Sequence, residues 1–158
     1  MASLSLDDVR TLLEAPSAAV LTTIRKDGTA LTSPVWFRWT GAAFEVVIAE
    51  GDVKLSHLER DPRCALVIFE TVVPFRGVEV RGEATLTHRD VTEIRRSIAG
   101  RYLGSEDGER FAAERVSKPG VLLQLFPEEQ RVWDLSSILP HQRTPPAVSC
   151  VASKPTRL

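Results

Sequence analysis

The sequence has little of what most enzyme classes need. No apolar run approaches the roughly 18 residues required for a membrane span. Basic and acidic residues nearly cancel, 20 against 21, so the excess positive charge of a general nucleic-acid binder is missing. The three histidines, His57, His88 and His141, lie far apart with no Cys or Glu at ligand spacing, which excludes the usual zinc patterns. Of the two cysteines, Cys64 opens an apolar run and Cys150 lies in a Pro/Ser-rich stretch, so neither a disulfide nor a metal site is expected. There is no G-x-S-x-G, P-loop or G-x-G-x-x-G, which argues against an α/β-hydrolase, a nucleoside triphosphatase and a Rossmann dehydrogenase. Lysine is scarce, four of the 20 basic residues, and that isolates Lys54.

What is present is an ordinary globular composition, 43% hydrophobic and 26% charged, in a chain of 158 residues. That length suits one domain with a real core. Met1 to Asp8 carries no basic n-region and no uninterrupted apolar segment, so the expected location is the cytoplasm.

Periodicity places the elements. Val9, Leu12 and Leu13 predict a short amphipathic lid helix over 7–15, stopped by Pro16. Residues 18–24 read as a buried strand, and Lys26-Asp27-Gly28-Thr29 as a hairpin turn. From 31 to 39 the odd positions are mainly apolar and the even face carries Thr32, Pro34, Trp36 and Arg38. Pro34 cannot donate to a ladder, so this strand is expected at an edge or bulged. A third strand follows through Phe44, Val46 and Ile48. Asp52 is the predicted N-cap of a short helix to Arg60, with Val53, Leu55 and Leu58 as its apolar side. Strands are predicted over 63–71 and 78–87, a helix over 90–102 with the stripe Val91, Ile94, Ile98 and Tyr102, and a more polar helix over 106–116. Strands at 121–126 and 131–135 flank a turn at Pro127-Glu128-Glu129-Gln130. The expected fold is mainly β with short α insertions, a small antiparallel barrel of about seven strands spanning 1–139, with a flexible tail over 140–158.

One stretch has binding logic. Gly51-Asp52-Val53-Lys54 at a helix start offers free amides, the positive end of the helix dipole and a point charge, so a phosphate could dock there. The same residues also read as an ordinary cap beside a solvated lysine, with Glu50 and Asp52 opposing an anion. Trp36 could support a flat heterocycle or belong to the core. Trp39 reads as core, and Trp133 as a subunit interface or pocket rim. Arg95, Arg96 and Arg101 read as lying on the wet surface of the 90–102 helix, and Arg81 as the outward face of a strand.

Four motifs, in order and spacing, carry a family resemblance. They are Leu21-Thr22-Thr23-Ile24-Arg25-Lys26-Asp27-Gly28, Ser33-Pro34-Val35-Trp36-Phe37, Lys54 followed by Leu58-Glu59-Arg60-Asp61-Pro62-Arg63, and Val80-Arg81-Gly82-Glu83-Ala84. Over Ser5 to Trp133 the chain resembles the pyridoxamine 5'-phosphate oxidase-like split β-barrel superfamily, and more narrowly its flavin/deazaflavin oxidoreductase branch, common in actinobacteria. The resemblance implies a homodimer with two cofactor sites at the subunit interface. It assigns Lys54 to the cofactor phosphate, backbone contacts to Gly51, Asp52 and Val53, and the ring wall to Ser33, Pro34, Val35, Trp36 and Phe37, with Trp133 reaching in from the partner. The Pro34 to Phe37 segment resembles the branch that uses coenzyme F420. The implied activity is hydride transfer from reduced F420 to a small conjugated or heteroaromatic acceptor, with no obligatory acid or base. The alternatives are an FMN-dependent oxidoreductase and a non-enzymatic flavin- or haem-binding protein, for which His57 or His88 would be the residues to test. The Arg-Leu-x-Pro ending of true pyridoxamine phosphate oxidases is missing, so that particular activity is not expected.

Overall fold

The computed structural model describes residues 3–140; the predicted tail, Pro140 apart, lies outside the described residues. Eight strands, numbered in chain order, form one antiparallel sheet: seven follow the path β2-β1-β5-β6-β7-β4-β3, and β8 pairs β6 off it. This is the expected split barrel with short helical insertions. The eighth strand arises because the predicted strand over 31–39 divides into β2 (Ala30–Pro34) and β3 (Arg38–Trp39). β2 and β3 are consecutive in the chain yet lie at opposite ends of the sheet path, so residues 35–37 form the joint that closes the barrel. Pro34 is the last residue of edge strand β2, where its missing N–H costs no ladder bond.

β1 (Ala18–Ile24) pairs with β2 across the Gly28 turn, where a φ of 84° is reached without a Cβ penalty. β1 also pairs with β5 (Arg63–Phe69). β6 (Gly77–His88) is the long central strand: its Gly77 to Glu83 half pairs with β5, and Ala84 to His88 pairs with β7 (Gly120–Leu125). β4 (Phe44–Ala49) joins β7 to β3.

The predicted turn at 127–130 is not a hairpin. β8 (Glu129–Trp133) continues along the same edge of β6 that β7 occupies. Between the pairs Ala84↔Leu125 and Arg81↔Glu129, three steps along β6 face four along the other chain, so Pro127 sits in a bulge. Gly82 makes room for it: a Cβ there would lie 3.0 Å from the Phe126 carbonyl oxygen.

The barrel core gathers Leu21, Phe37, Phe44, Leu66, Ile68, Leu123 and Leu125, all fully buried. The N-terminal segment, a 3-10 turn (Leu6–Val9) running into α1 (Arg10–Glu14), buries Val9, Leu12 and Leu13. It is a plug of the core rather than a lid, each side chain contributing about 1.5–3 kcal/mol. α2 (Val53–Arg60) buries Leu55, His57 and Leu58, whereas Val53 faces solvent, contrary to its assignment to the apolar side. α3 (Thr92–Leu103) covers the outer face of the sheet, where Val91, Ile94 and Ile98 pack on Leu122. α4 (Ser105–Ala113) lies against α3 through Gly108, where a Cβ would come within 2.6 Å of the Gly100 Cα.

The joint at 35–37 leaves backbone groups outside the ladders: the Val35 N–H reaches the Ala19 carbonyl at 3.0 Å, and α3 satisfies both backbone groups of Phe37. Arg101 donates to the carbonyls of Phe37 (2.9 Å), Leu13 (2.9 Å) and Ala15 (2.7 Å), with its guanidinium over the Phe37 ring. The Tyr102 hydroxyl donates to the Ser17 carbonyl at 2.9 Å and accepts from the Phe37 N–H at 3.4 Å. Burial raises the Tyr102 pKa, which keeps the phenol protonated; it lowers that of Arg101, but a guanidinium remains charged in proteins, so both act as donors.

Tyr102→Phe retains the ring and removes the bridge, so urea denaturation should show a loss of about 1 kcal/mol. Arg101→Met should cost more, about 2–4 kcal/mol, because three carbonyls lose a charged donor. Gly108→Ala should destabilise by about 1–3 kcal/mol, since the new methyl meets backbone and must push α4 away from α3.

Candidate functional site

A cavity of about 1110 Å³ opens between the β1 and β2 edge, β4, the start of α2 and the α3–α4 pair. It lies at or above the upper end of the roughly 300–1,000 Å³ typical of small-molecule pockets. Its walls are mostly apolar, including Val20, Val35, Val47 and Ile98. One side is aromatic: Trp36 stacks on Tyr102 with centroids 5.1 Å apart and planes 9° apart, and meets Phe111 at 5.2 Å. Arg115 lies 3.7 Å over the other ring of this group, Phe111. Trp36 is held by the barrel joint and by both insertion helices.

The sequence-derived residues separate here. Pro34, Val35, Trp36, Asp52 and Lys54 line the cavity; Ser33, Phe37, Gly51, Val53 and Trp133 do not. Phe37 is fully buried, packed on Phe44 at 6.1 Å, so it forms core instead of ring wall. Its inward direction follows from the alternation, which runs unbroken across the joint. Val53 is exposed, and Gly51, at φ 83°, makes the turn into α2. Trp133 covers Gly77 and donates its indole N–H to the Phe75 carbonyl at 2.9 Å. Trp39 packs on Phe44 at 4.4 Å, against the core.

The predicted phosphate seat is already engaged by its own residues. The Asp52 carboxylate accepts the Lys54 backbone N–H at 2.9 Å as an N-cap and the Lys54 ammonium at 2.8 Å. Partial burial disfavours the Asp52 charge, but the Lys54 contacts outweigh it and its pKa falls below the ordinary carboxylate value. The cap reading therefore describes the geometry, with Lys54 paired instead of solvated.

Two arginines read from the sequence as surface charge are not on the surface. Arg101 secures the joint, and Arg95, 8% exposed, donates to the carbonyls of Arg115 (2.8 Å) and Lys118 (3.0 Å). Burial, and then repulsion from Arg115, lowers the Arg95 pKa. A signal was available, since Arg95 falls four residues after Val91 and three before Ile98, on the buried stripe. Arg96 does lie outside, paired with Glu93 and Glu109. Arg81 is exposed as expected.

Among the described residues no cysteine or histidine lines the cavity. The Cys64 thiol is buried, its pKa pushed up to about 12. His57 is buried with Nδ1 3.0 Å from the Thr23 hydroxyl, and His88 lines a smaller, separate cavity. Among the described residues no three His, Cys, Asp or Glu side chains cluster as metal ligands. No described helix is long and apolar enough to cross a membrane.

Solved structures share this architecture at low sequence identity. A conserved hypothetical protein of Mycobacterium tuberculosis superposes with a TM-score of 0.71 at 20% identity, over 89% of this chain and 91% of that one. An F420 reductase gives 0.63 at 23% identity, over 77% and 94%. The haem-storage protein HutZ of Vibrio cholerae gives 0.60 at 17% identity, over 83% and 95%. No curated protein matches the chain. These likenesses establish the barrel, while the sequence itself matches the pyridoxamine 5'-phosphate oxidase model over residues 5–134, nearly the whole described structure. The chain belongs to the pyridoxamine 5'-phosphate oxidase family.

Proposed function

We propose that this protein is an oxidoreductase that binds a flavin-type cofactor in the 1110 Å³ cavity, with reduced coenzyme F420 as the hydride donor to a small conjugated or heteroaromatic acceptor. The observation that carries this reading is the joining of a flat aromatic wall, Trp36 on Tyr102, to a cationic rim in one apolar-walled cavity. A planar heterocycle with an anionic side arm needs both features. The residues fit such a group. Trp36, Pro34 and Val35 would hold the ring, and of the cations lining the cavity Lys54, Arg115 and Lys118 would meet the arm.

When bound, the reduced deazaflavin supplies a hydride and its electron pair to the acceptor. The chain's own task is to position and to exclude water. Val47 and Ile98 keep the wall dry, and α4 presses Phe111 against Trp36 so that the indole is fixed before a ligand arrives. The complete site is proposed to lie at the interface of a homodimer, to which the partner would bring Trp133. FMN is the second cofactor reading, favoured by the family match itself. A haem role fits this cavity poorly, because among the described residues no histidine lines it.

Tryptophan-fluorescence titration with F420 and, separately, FMN tests the proposal, since Trp36 lies in the cavity wall. Saturable quenching by F420 in the micromolar range or tighter, lost in Trp36→Ala, is the expected result. Binding of FMN alone would replace the cofactor, and binding of neither would reject the oxidoreductase reading. Asp52→Asn should raise the affinity for the phosphorylated ligand several-fold, because asparagine still caps α2 while Lys54 is released from its pair. Lys54→Ala should lower it by about tenfold, the scale of one charge-assisted contact. An unchanged affinity in Lys54→Ala would remove Lys54 from the phosphate site.

A further inference from the structure

The cavity carries a charge imbalance that the Asp52–Lys54 pair does not account for. Among the described residues four cationic side chains line it, Lys54, Arg95, Arg115 and Lys118, against one carboxylate, Asp52, which is already bonded to Lys54. The other three belong to one short piece of structure. Arg95, buried on α3, donates to the backbone carbonyls of Arg115 and Lys118, the two residues whose own side chains add positive charge to the same cavity. The Lys118 N–H also returns to the Arg115 carbonyl at 3.0 Å, closing the turn. Among the described residues no carboxylate contacts the Arg95 guanidinium; its hydrogen-bond partners are both neutral carbonyls, and its pKa is lowered by burial and by Arg115. The negative groups nearby are peripheral. Glu114 reaches Arg115 at 3.5 Å from an exposed position, Asp90 acts on Arg95 only through space, and Glu50 shares the smaller cavity with Lys118.

A buried guanidinium satisfied only by carbonyls keeps its full charge uncompensated. Here that charge stands behind two further cations at the edge of an apolar cavity, where an incoming anion is screened less than in water. We propose that Arg95, Arg115 and Lys118 form an oxyanion seat, distinct from the Asp52–Lys54 pair, that takes the carboxylate or phosphate group of an aromatic ligand lying against Trp36. Arg115 and Lys118 make the contact. Arg95 is a positioning residue, holding their backbone turn and adding its field. The seat deepens the cofactor reading and rests on it only for the aromatic part of the ligand. The oxyanion could be the cofactor's phosphate or a carboxylate on the acceptor.

The test compares anionic and neutral members of matched pairs by tryptophan fluorescence. The pairs are F420 with its phosphate-free deazaflavin chromophore, FMN with riboflavin, and 2-naphthoate with 2-naphthamide, the last with and without cofactor. The variants are Arg115→Gln/Lys118→Gln and Arg95→Lys. Wild-type protein should prefer at least one anionic member by about tenfold, and the double variant should abolish that preference, read in each protein as the ratio of anionic to neutral affinity. Loss confined to the phosphorylated pairs assigns the seat to the cofactor, and loss confined to naphthoate assigns it to the acceptor. Arg95→Lys keeps the charge but not the two-carbonyl fork, so it should reduce the preference without changing neutral binding, an effect that a merely structural role would not give. No anionic preference in the wild type, or the same preference in the double variant, overturns the seat. If neither F420 nor FMN binds, the cofactor reading fails, and the naphthoate pair still decides the seat.

Discussion

The structure depends on how the barrel is closed. Its sheet begins at β2 and ends at β3, two strands separated only by residues 35–37, so the chain must step from one end of the sheet to the other in a single short joint. Such a step leaves N–H and C=O groups with no strand beside them, and in a nearly dry location each must find another partner. For Phe37 the partners are Arg101 and Tyr102, which also reach the carbonyls at 13, 15 and 17 where the N-terminal plug enters β1. One turn of α3 therefore fastens the plug, the joint and the outer helix layer together. The functional wall follows from the same fastening, because Trp36 is the middle residue of the joint and lies on the Tyr102 ring.

This explains why a helical insertion and not the barrel alone forms the cavity. The strands supply Val20, Pro34, Val47 and Ile48, an apolar surface with little chemical selectivity. Selectivity enters with α3, α4 and the turn after them, which bring Tyr102, Phe111, Arg95 and Arg115. The close approach of these helices at Gly100 and Gly108 sets how far Phe111 reaches toward Trp36. A change in helix packing at that point is transmitted to the aromatic wall without touching it.

Much of this was legible in the residues. The β1–β2 turn, the alternation of β6, the Asp52 cap and the apolar stripe of α3 each follow from a local rule, and each is where that rule puts it. The joint was not legible, because Val35, Phe37 and Trp39 keep a two-residue period while the pairing partner changes from β1 to β4; a pattern reports which face a side chain takes, not which strand lies beside it. Pro127 misled for a related reason. A proline near a glutamate pair signals a turn, yet β6 is long enough to hold both flanking strands on one edge, so the chain bulges instead of reversing. Arg95 and Arg101 were read as solvated because helix arginines usually are, although both lie on the Val91, Ile94 and Ile98 stripe. Of the site residues named from sequence, Pro34, Val35, Trp36, Asp52 and Lys54 line the cavity, and the cations of α3 and the following turn that also line it carry no sequence signal of a site.

The two groups of cations in the cavity obey different physics. Lys54 has a carboxylate two residues away, so its charge is neutralised at short range and its contribution to any ligand must be won from Asp52. Arg95 has only carbonyl dipoles, which satisfy its hydrogen bonds without cancelling its charge. Folding gains nothing from leaving that charge unpaired, since burial of an unpaired cation is a cost and an apolar residue of similar volume would pack the same stripe. The cost is offset in part by fixing the turn from Arg115 to Lys118, but a neutral donor could also cap two carbonyls. What a guanidinium adds is a fixed positive field directed at a cavity whose walls are otherwise apolar, and that field is useful only to a ligand that brings the missing negative charge.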